Sequence, residues 1–263
     1  MAIPRKIHYC WFGGGEKPEL VQKCIASWRR FCPDCEIIEW NPANYDVTKN
    51  AYMHQAYQAR RWGFATDYAR LDIVYTHGGI YLDTDVELIK SIDELFETDG
   101  FIGFERGGRA SQQMVNTGQG FGAPARHEII KKLLEVYEGA EFIHADGTQN
   151  LTTCPYYNTQ VLKAEGLKCD GTKQVVGGLS VYPAEYLCPI DWLTKECTIT
   201  ENTFSIHHFN ASWASAKEKR KRRLMRRLDY VVHLPNMLLK KALGDESYDK
   251  LKRKLRGRRD TDE

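Results

Sequence analysis

Asp83 and Asp85, two residues apart in "HGGIYLDTDVEL" (residues 77–88), are the groups of this 263-residue chain best suited to hold a divalent cation. In an extended segment alternate side chains share a side, so both carboxylates project together and repel. A buried strand end tolerates such a pair only with a cation between the two groups or with water at hand. Oxygen ligands suit Mg2+ or Mn2+, ions that keep positions open for a ligand's phosphates. Asp67 and Arg70 lie three residues apart on the preceding helix and share a face. The Gly78-Gly79 turn brings that face toward the acidic pair. Taken alone, a D-x-D is also an ordinary solvated turn, and Asp67 with Arg70 an ordinary helix-surface ion pair. An EF-hand loop starting at Asp83 would find Glu94 in the place of its bidentate carboxylate, but Leu88 stands where that loop needs glycine.

The elements that must position these groups alternate along the chain. "KIHYCWF" reads as a first strand ending at Gly13-Gly14-Gly15. A helix follows through Leu20, Cys24, Ile25 and Trp28, then the strand "CEIIEW". Phe64, Tyr68, Leu71 and Tyr75 form one helical stripe, with Gly78 placed for a left-handed C-terminal cap. "IYLDTDVELI" is the next strand. "FIGFER", "GQGFGA", "KQVVGGLSVYP" and "TFSIHHF" are further strands, and "HEIIKKLLEVYEG" and "NTQVLKAEG" helices. This order predicts an α/β fold with a mostly parallel sheet covered by helices, its ligands at the carboxyl ends of the strands.

Charge divides the chain. Residues 217–263 hold 17 Lys+Arg against 8 Asp+Glu, a net of +9, so residues 1–216 net −7 out of totals of 37 and 35. The expected organisation is a main domain over 1–216 and a basic helical tail over 217–263. Leu224, Leu228, Val231 and Leu234 sit at helical spacing beneath the tail's cationic face, the pattern of a helix on an anionic membrane surface or of a solvated helix packed on the body. Nucleic acid is not expected, because no aromatic residues interleave with the arginines. Only Cys32 and Cys35 among eight cysteines form a C-x-x-C pair, too few for a zinc site, so reduced thiols are expected. With no apolar leader and no stretch of roughly 20 apolar residues, the expected station is cytoplasmic, held by the tail against the inner face of a membrane.

"ATDYARLDIVYTHGGIYLDTDVEL" closely resembles the glycosyltransferases that carry a sugar-binding region containing a DxD motif, a family including yeast initiating α-mannosyltransferases and bacterial capsular-polysaccharide enzymes, with the large clostridial glucosylating toxins as distant relatives. The flanks "IPRKIHYCWFGG", "SWRRFCPDCEIIEWN" and "IHHFNASW" agree in order and spacing, so the resemblance spans most of residues 3–213. It implies a nucleotide-sugar fold of the GT-A type. By it, Trp11 is the aromatic that stacks on the nucleotide base, Tyr81 lines the nucleotide site, and Asp67 and Arg70 bind donor sugar and phosphate. Asp83 and Asp85 hold ribose and metal, and Asn116 lies near the donor sugar. In the closing segment Ser212 and Trp213 reach the diphosphate and a side chain completes the metal shell. His207 and His208 point to opposite faces of a strand, so one of them serves and the sequence does not choose.

The activity so implied is metal-dependent, retaining transfer of a hexose from a nucleotide sugar to a sugar hydroxyl of a surface or capsular glycan, free or lipid-linked. A UDP-sugar is expected ahead of GDP-mannose, with Mn2+ or Mg2+. The residues identify no nucleophile. Two other classes fit the bare D-x-D: a metal-dependent phosphoryl-transfer enzyme and a non-catalytic binding module.

Overall fold

Alternating side chains in "KIHYC" make the first strand, β1 (Lys6–Cys10). Helix α1 (Glu19–Phe31) buries Val21, Cys24, Ile25 and Trp28 at helical spacing and returns the chain to β2 (Glu36–Trp40), parallel to β1. Next comes α2 (Ala51–Gln58), capped by the Asn50 side chain, which accepts from the Met53 N–H at 3.0 Å. The remaining elements are α3 (Trp62–His77), β3 (Gly79–Tyr81), β4 (Val86–Leu88), α4 (Asp93–Phe96), β5 (Phe101–Phe104), β6 (Val115–Ala123), α5 (Glu128–Glu135), α6 (Cys154–Ala164), β7 (Gln174–Val176), β8 (Leu179–Tyr182), α7 (Ala184–Leu187) and β9 (Ser205–His207). The structure is a computed structural model and describes residues 2–107, 113–192, 194–210 and 220. The chain divides after Ala214, and all that follows concerns the first of the two units. The tail expected over 217–263 lies outside the described residues but for Arg220, as do Ser212 and Trp213.

Among the described residues seven strands form one sheet in the order β2-β1-β3-β6-β5-β8-β7. Five run in one direction, and β6 and β7 run against them. The mostly parallel α/β sheet expected from the sequence is therefore present. One apolar core lies between the sheet and α2, α3, α5 and α6, where Tyr52, Phe64, Leu71, Leu133 and Phe121 meet. The other joins the opposite face to α1 and α4 through Ile25, Trp28, Ile80 and Phe96.

Helix α3 passes through the interior and is buried on all sides from Phe64 to Val74, including Asp67, Arg70 and Asp72. Its charged residues therefore need partners inside the protein. It ends at Gly78 (φ +63, ψ 179), followed by Gly79 (φ +109); the glycine turn is there, but Gly78 takes an extended positive-φ conformation in place of the left-handed helical cap expected. A Cβ at Gly79 would lie 2.8 Å from His8 Nε2 and 2.9 Å from the Lys6 carbonyl. His8 locks this turn. Trp40 Nε1–H donates to His8 Nδ1 at 3.1 Å, which leaves the proton on Nε2 to donate to the Gly78 carbonyl at 2.8 Å. Both ring nitrogens of the neutral form are thus engaged, and burial holds the imidazole pKa down to about 4.

Two segments depart from the alternating pattern. "IYLDTDVELI" is not one strand: β3 stops at Tyr81, and β4 leaves the main sheet to pair antiparallel with β9. "KQVVGGLSVYP" folds back at Gly177 (φ +54) and Gly178 (φ +89) into the β7–β8 hairpin, because these glycines take a conformation closed to most other residues. No helix among the described residues is long and apolar enough to cross a membrane.

Candidate active site

The acidic pair sits on a turn. The Val86 N–H donates to the Asp83 carbonyl at 3.0 Å, so the chain bends between the two carboxylates, and this bend, where strand alternation was expected, brings them to one side. The Asp83 N–H reaches the Gly118 carbonyl of β6 at 3.3 Å, anchoring the turn to the sheet.

The chain supplies two cations of its own. Arg70 Nη2 lies 3.2 Å from Asp67 Oδ1 and 3.2 Å from Asp83 Oδ1, with its side chain almost wholly buried. Its Nε–H donates to the Thr66 carbonyl at 3.1 Å, and Nη1 reaches Cys154 Sγ at 3.8 Å. Burial works against the guanidinium charge, but Asp83 and Asp67 together raise its pKa above the ordinary value. Burial lifts Asp67 to about 6 against the opposing pull of Arg70, and it raises Asp83 as well, with Asp85 adding to the effect.

His207, when protonated, is the second cation. Its Nε2 lies 3.3 Å from Asp85 Oδ1, while Asp85 Oδ2 accepts from the Asn210 N–H at 2.8 Å. Although burial opposes it, the imidazolium and that N–H hold Asp85 down at about 2, and the carboxylate in turn raises His207. Phe209, between His207 and Asn210, adopts φ +51, a strained conformation for a non-glycine residue, and its ring stands 4.3 Å from the His207 ring. His208 faces away and pairs with Glu87 at 2.9 Å, a carboxylate that also binds Lys23 at 2.8 Å. Of the two histidines left open by the sequence, the structure brings His207 to the aspartates and places His208 outside the site.

One ligand atom each from Asp83, Asp85 and His207 lie within 4.8 Å of one another. Two hard carboxylates and one imidazole fit a divalent ion, and His207 Nδ1 is buried without a hydrogen-bond partner. This donor set sits at the carboxyl end of β3, on the edge of the sheet where β1 and β5 also end.

The opposing wall is a bulge in β6. Ile102 pairs with Phe121 but the next residue, Gly103, pairs with Asn116, so residues 117–120 loop away from β5 toward the acidic turn. Gly118 fits there because it has no side chain: a Cβ would lie 2.7 Å from Asp83 Oδ2, 2.8 Å from Arg70 Nη1 and 3.0 Å from Asn116 Oδ1. Asn116 accepts from the Gly118 N–H at 2.6 Å and donates from Nδ2 to Glu105 Oε1 at 2.6 Å. Its oxygen also takes the Cys154 thiol at 3.5 Å. Sequence reasoning missed Glu105, Gly118 and Cys154. None lies in a spaced motif, and only the bulge draws them together.

Trp11 follows β1 and borders a recess of about 840 Å3 shared with Gly13, Lys17, Asn41, Arg60 and Trp62. Its indole N–H donates to the Gly15 carbonyl at 3.2 Å, and the Lys17 ammonium stands 5.7 Å from its ring. Tyr81 is 1 % exposed, sealed in the sheet beneath Arg70, whose Cζ is 5.2 Å from the ring centroid. In place of the expected wall of the nucleotide site, Tyr81 makes a floor under the guanidinium, because its position inside β3 points it into the core.

Residues 18–102 match the family described as glycosyltransferase sugar-binding region containing DXD motif. That segment is similar to a glycosyltransferase sugar-binding region. The matched segment includes Asp67, Arg70, Tyr81, Asp83 and Asp85; Trp11, Asn116 and His207 lie beyond it and stand on geometry. Among solved structures, the chain is similar to the PaToxG glycosyltransferase, with 20 % identity over 63 % of this chain and 70 % of that one, at a TM-score of 0.48. It is also similar to a glycosyltransferase involved in the glycosylation of the major capsid of PBCV-1, with 12 % identity over 84 % of this chain and 98 % of that one, at a TM-score of 0.44. No curated protein matches this chain.

Proposed function

We propose that this glycosyltransferase moves a hexose from a UDP-sugar to a sugar hydroxyl of a surface or capsular glycan, with retention at the anomeric carbon, and that it uses a divalent ion held by Asp83, Asp85 and His207. The convergence of these three side chains within 4.8 Å carries the proposal. An imidazole among carboxylates suits Mn2+ better than Mg2+, which prefers oxygen throughout. When bound, such an ion supplies Lewis-acid neutralisation of the departing diphosphate. The chain's own groups do the rest. Asp67 and Asp83 grip one terminal nitrogen of Arg70, leaving Nη1–H groups to donate to a phosphate or sugar oxygen. Trp11 offers an indole face at the recess for the base. Front-face attack guided by the leaving phosphate would give retention without a carboxylate nucleophile.

Calorimetric titration of UDP and GDP, each with and without Mn2+, tests this reading. The expected result is UDP binding that requires Mn2+, with GDP weaker by at least tenfold. Failure of both nucleotides to bind would overturn it, and release of inorganic phosphate from the nucleotide would favour phosphoryl transfer.

The proposal extends to location. With 17 Lys+Arg in residues 217–263, the chain would sit in the cytoplasm against an anionic leaflet carrying lipid-linked acceptor, each basic residue near the surface contributing about 1 kcal/mol. Deleting residues 217–263 is expected to abolish co-sedimentation with phosphatidylserine vesicles while donor hydrolysis continues. Undiminished co-sedimentation would refute the membrane station.

A further inference from the structure

The reaction centre holds one carboxyl group more than the metal and Arg70 contacts use. Glu105 directly follows β5, and its backbone N–H donates to the Met114 carbonyl at 2.7 Å. Because β5 and β3 run in the same direction on either side of β6, Glu105 leaves the sheet at the edge from which Asp83 leaves it. Its Oε1 accepts from Asn116 Nδ2 at 2.6 Å, and Asn116 holds the Gly118 N–H, whose residue's carbonyl accepts from the Asp83 N–H at 3.3 Å. A charge from His207 acts on it across the site. Yet Glu105 forms no ion pair among the described residues, and its Oε2 has no hydrogen-bond partner there. A half-buried carboxyl group fixed through one oxygen, with the other left without a protein partner among the described residues, is free to accept from a ligand.

The chemistry of the missing partner follows from the group. An ionised carboxylate only accepts hydrogen bonds and repels phosphate, so Glu105 does not hold the diphosphate. It lies outside the three-residue set that converges for a metal. What remains at a site for sugars is a hydroxyl donor. We infer that Glu105 binds a sugar hydroxyl at the reaction centre, with Oε2 accepting the hydrogen bond and Asn116 fixing the carboxyl plane. The hydroxyl belongs either to the transferred hexose or to the acceptor. This inference rests on the glycosyltransferase reading of the site.

The test uses the full chain with Mn2+ and compares wild type with Glu105→Gln, which keeps the shape and an oxygen for Asn116. Affinities are measured for UDP and for UDP-glucose, UDP-galactose and UDP-N-acetylglucosamine. Donor hydrolysis is followed alone and with methyl α-D-glucopyranoside, methyl α-D-galactopyranoside and methyl α-D-mannopyranoside as acceptor probes. UDP affinity and melting temperature are expected to stay at the wild-type level. If the hydroxyl belongs to the donor, the best-bound UDP-sugar loses roughly 10- to 100-fold in affinity relative to UDP. If it belongs to the acceptor, hydrolysis persists and the acceptor KM rises by a similar factor. An equal loss of UDP and UDP-sugar affinity would assign Glu105 to the nucleotide site or to the fold and overturn the inference. So would a variant indistinguishable from the wild type in every measurement. Failure of the parent reading looks different: the wild type itself would bind no nucleotide.

Discussion

Asp85→Asn is expected to lower kcat/KM for sugar transfer roughly 1,000-fold, about 4 kcal/mol of lost transition-state stabilisation, while the protein stays folded. The carboxylate removed is the one whose charge is best secured, held at about 2 by His207 and the Asn210 N–H. It therefore stays anionic at neutral pH, as a ligand of the proposed ion must. Asparagine keeps the shape and can still accept from Asn210, so the loss reports charge and not packing. The same variant should lose the Mn2+ dependence of UDP binding. Steady-state turnover at saturating Mn2+ checks the rate, and a loss smaller than tenfold would remove Asp85 from the ion site.

Arg70→Met has the largest expected effect on stability. Arg70 Nη2 separates the buried Asp67 carboxylate from the half-buried Asp83 carboxylate, each at 3.2 Å. Removing one member of a buried ion cluster costs about 3–5 kcal/mol because the remaining charge stays uncompensated, and here two carboxylates remain. For a domain of this size that amounts to a fall in melting temperature of roughly 10 °C. The deficit depends on pH. Burial already raises Asp67 to about 6 and also raises Asp83, and without Arg70 both rise further. A carboxyl whose folded pKa exceeds its unfolded value holds its proton more tightly when folded. Its contribution is then present below the unfolded pKa and is lost as pH climbs through the folded one. The gap in melting temperature between variant and wild type is accordingly expected to be wider near pH 8 than near pH 5. Calorimetric melts at both values decide it, and a gap that narrows with rising pH would contradict the arrangement.

The central block was legible because its chemistry is local in sequence. Asp67, Arg70, Gly78, Asp83 and Asp85 lie on one helix and the turn beyond it, so their spacing constrains where they go. The alternation of α1, α3 and the first strands was legible for the same reason. What the sequence hid is long-range. Nothing in "VNTGQGFGA" announces that residues 117–120 leave the ladder, and with that bulge goes the meeting of Asn116, Gly118 and Glu105. His207 and His208 are equivalent in an alternating segment until β4 claims β9 as its partner and fixes which ring faces Asp85. Helix α2 has no long apolar stripe, only Tyr52, Met53 and Ala56 buried beneath an Asn50 cap, too short a signal to stand out. The burial of α3 all round was hidden by its charges, which read as a polar face until Asp67, Arg70 and Asp83 are seen to satisfy one another.

The pairing of β4 with β9 also gives the enzyme a timetable. Asp85 emerges during synthesis more than a hundred residues before His207, the group that completes the donor set. During that interval β5 to β8 complete the main sheet, while the acidic turn still waits for His207. Contacts so distant in sequence form late, because their loops must close first. On the proposed ion site, competence to hold an ion is deferred until nearly the whole described body has left the ribosome. A nascent or truncated chain ending before β9 would be a folded-looking bystander with no active centre.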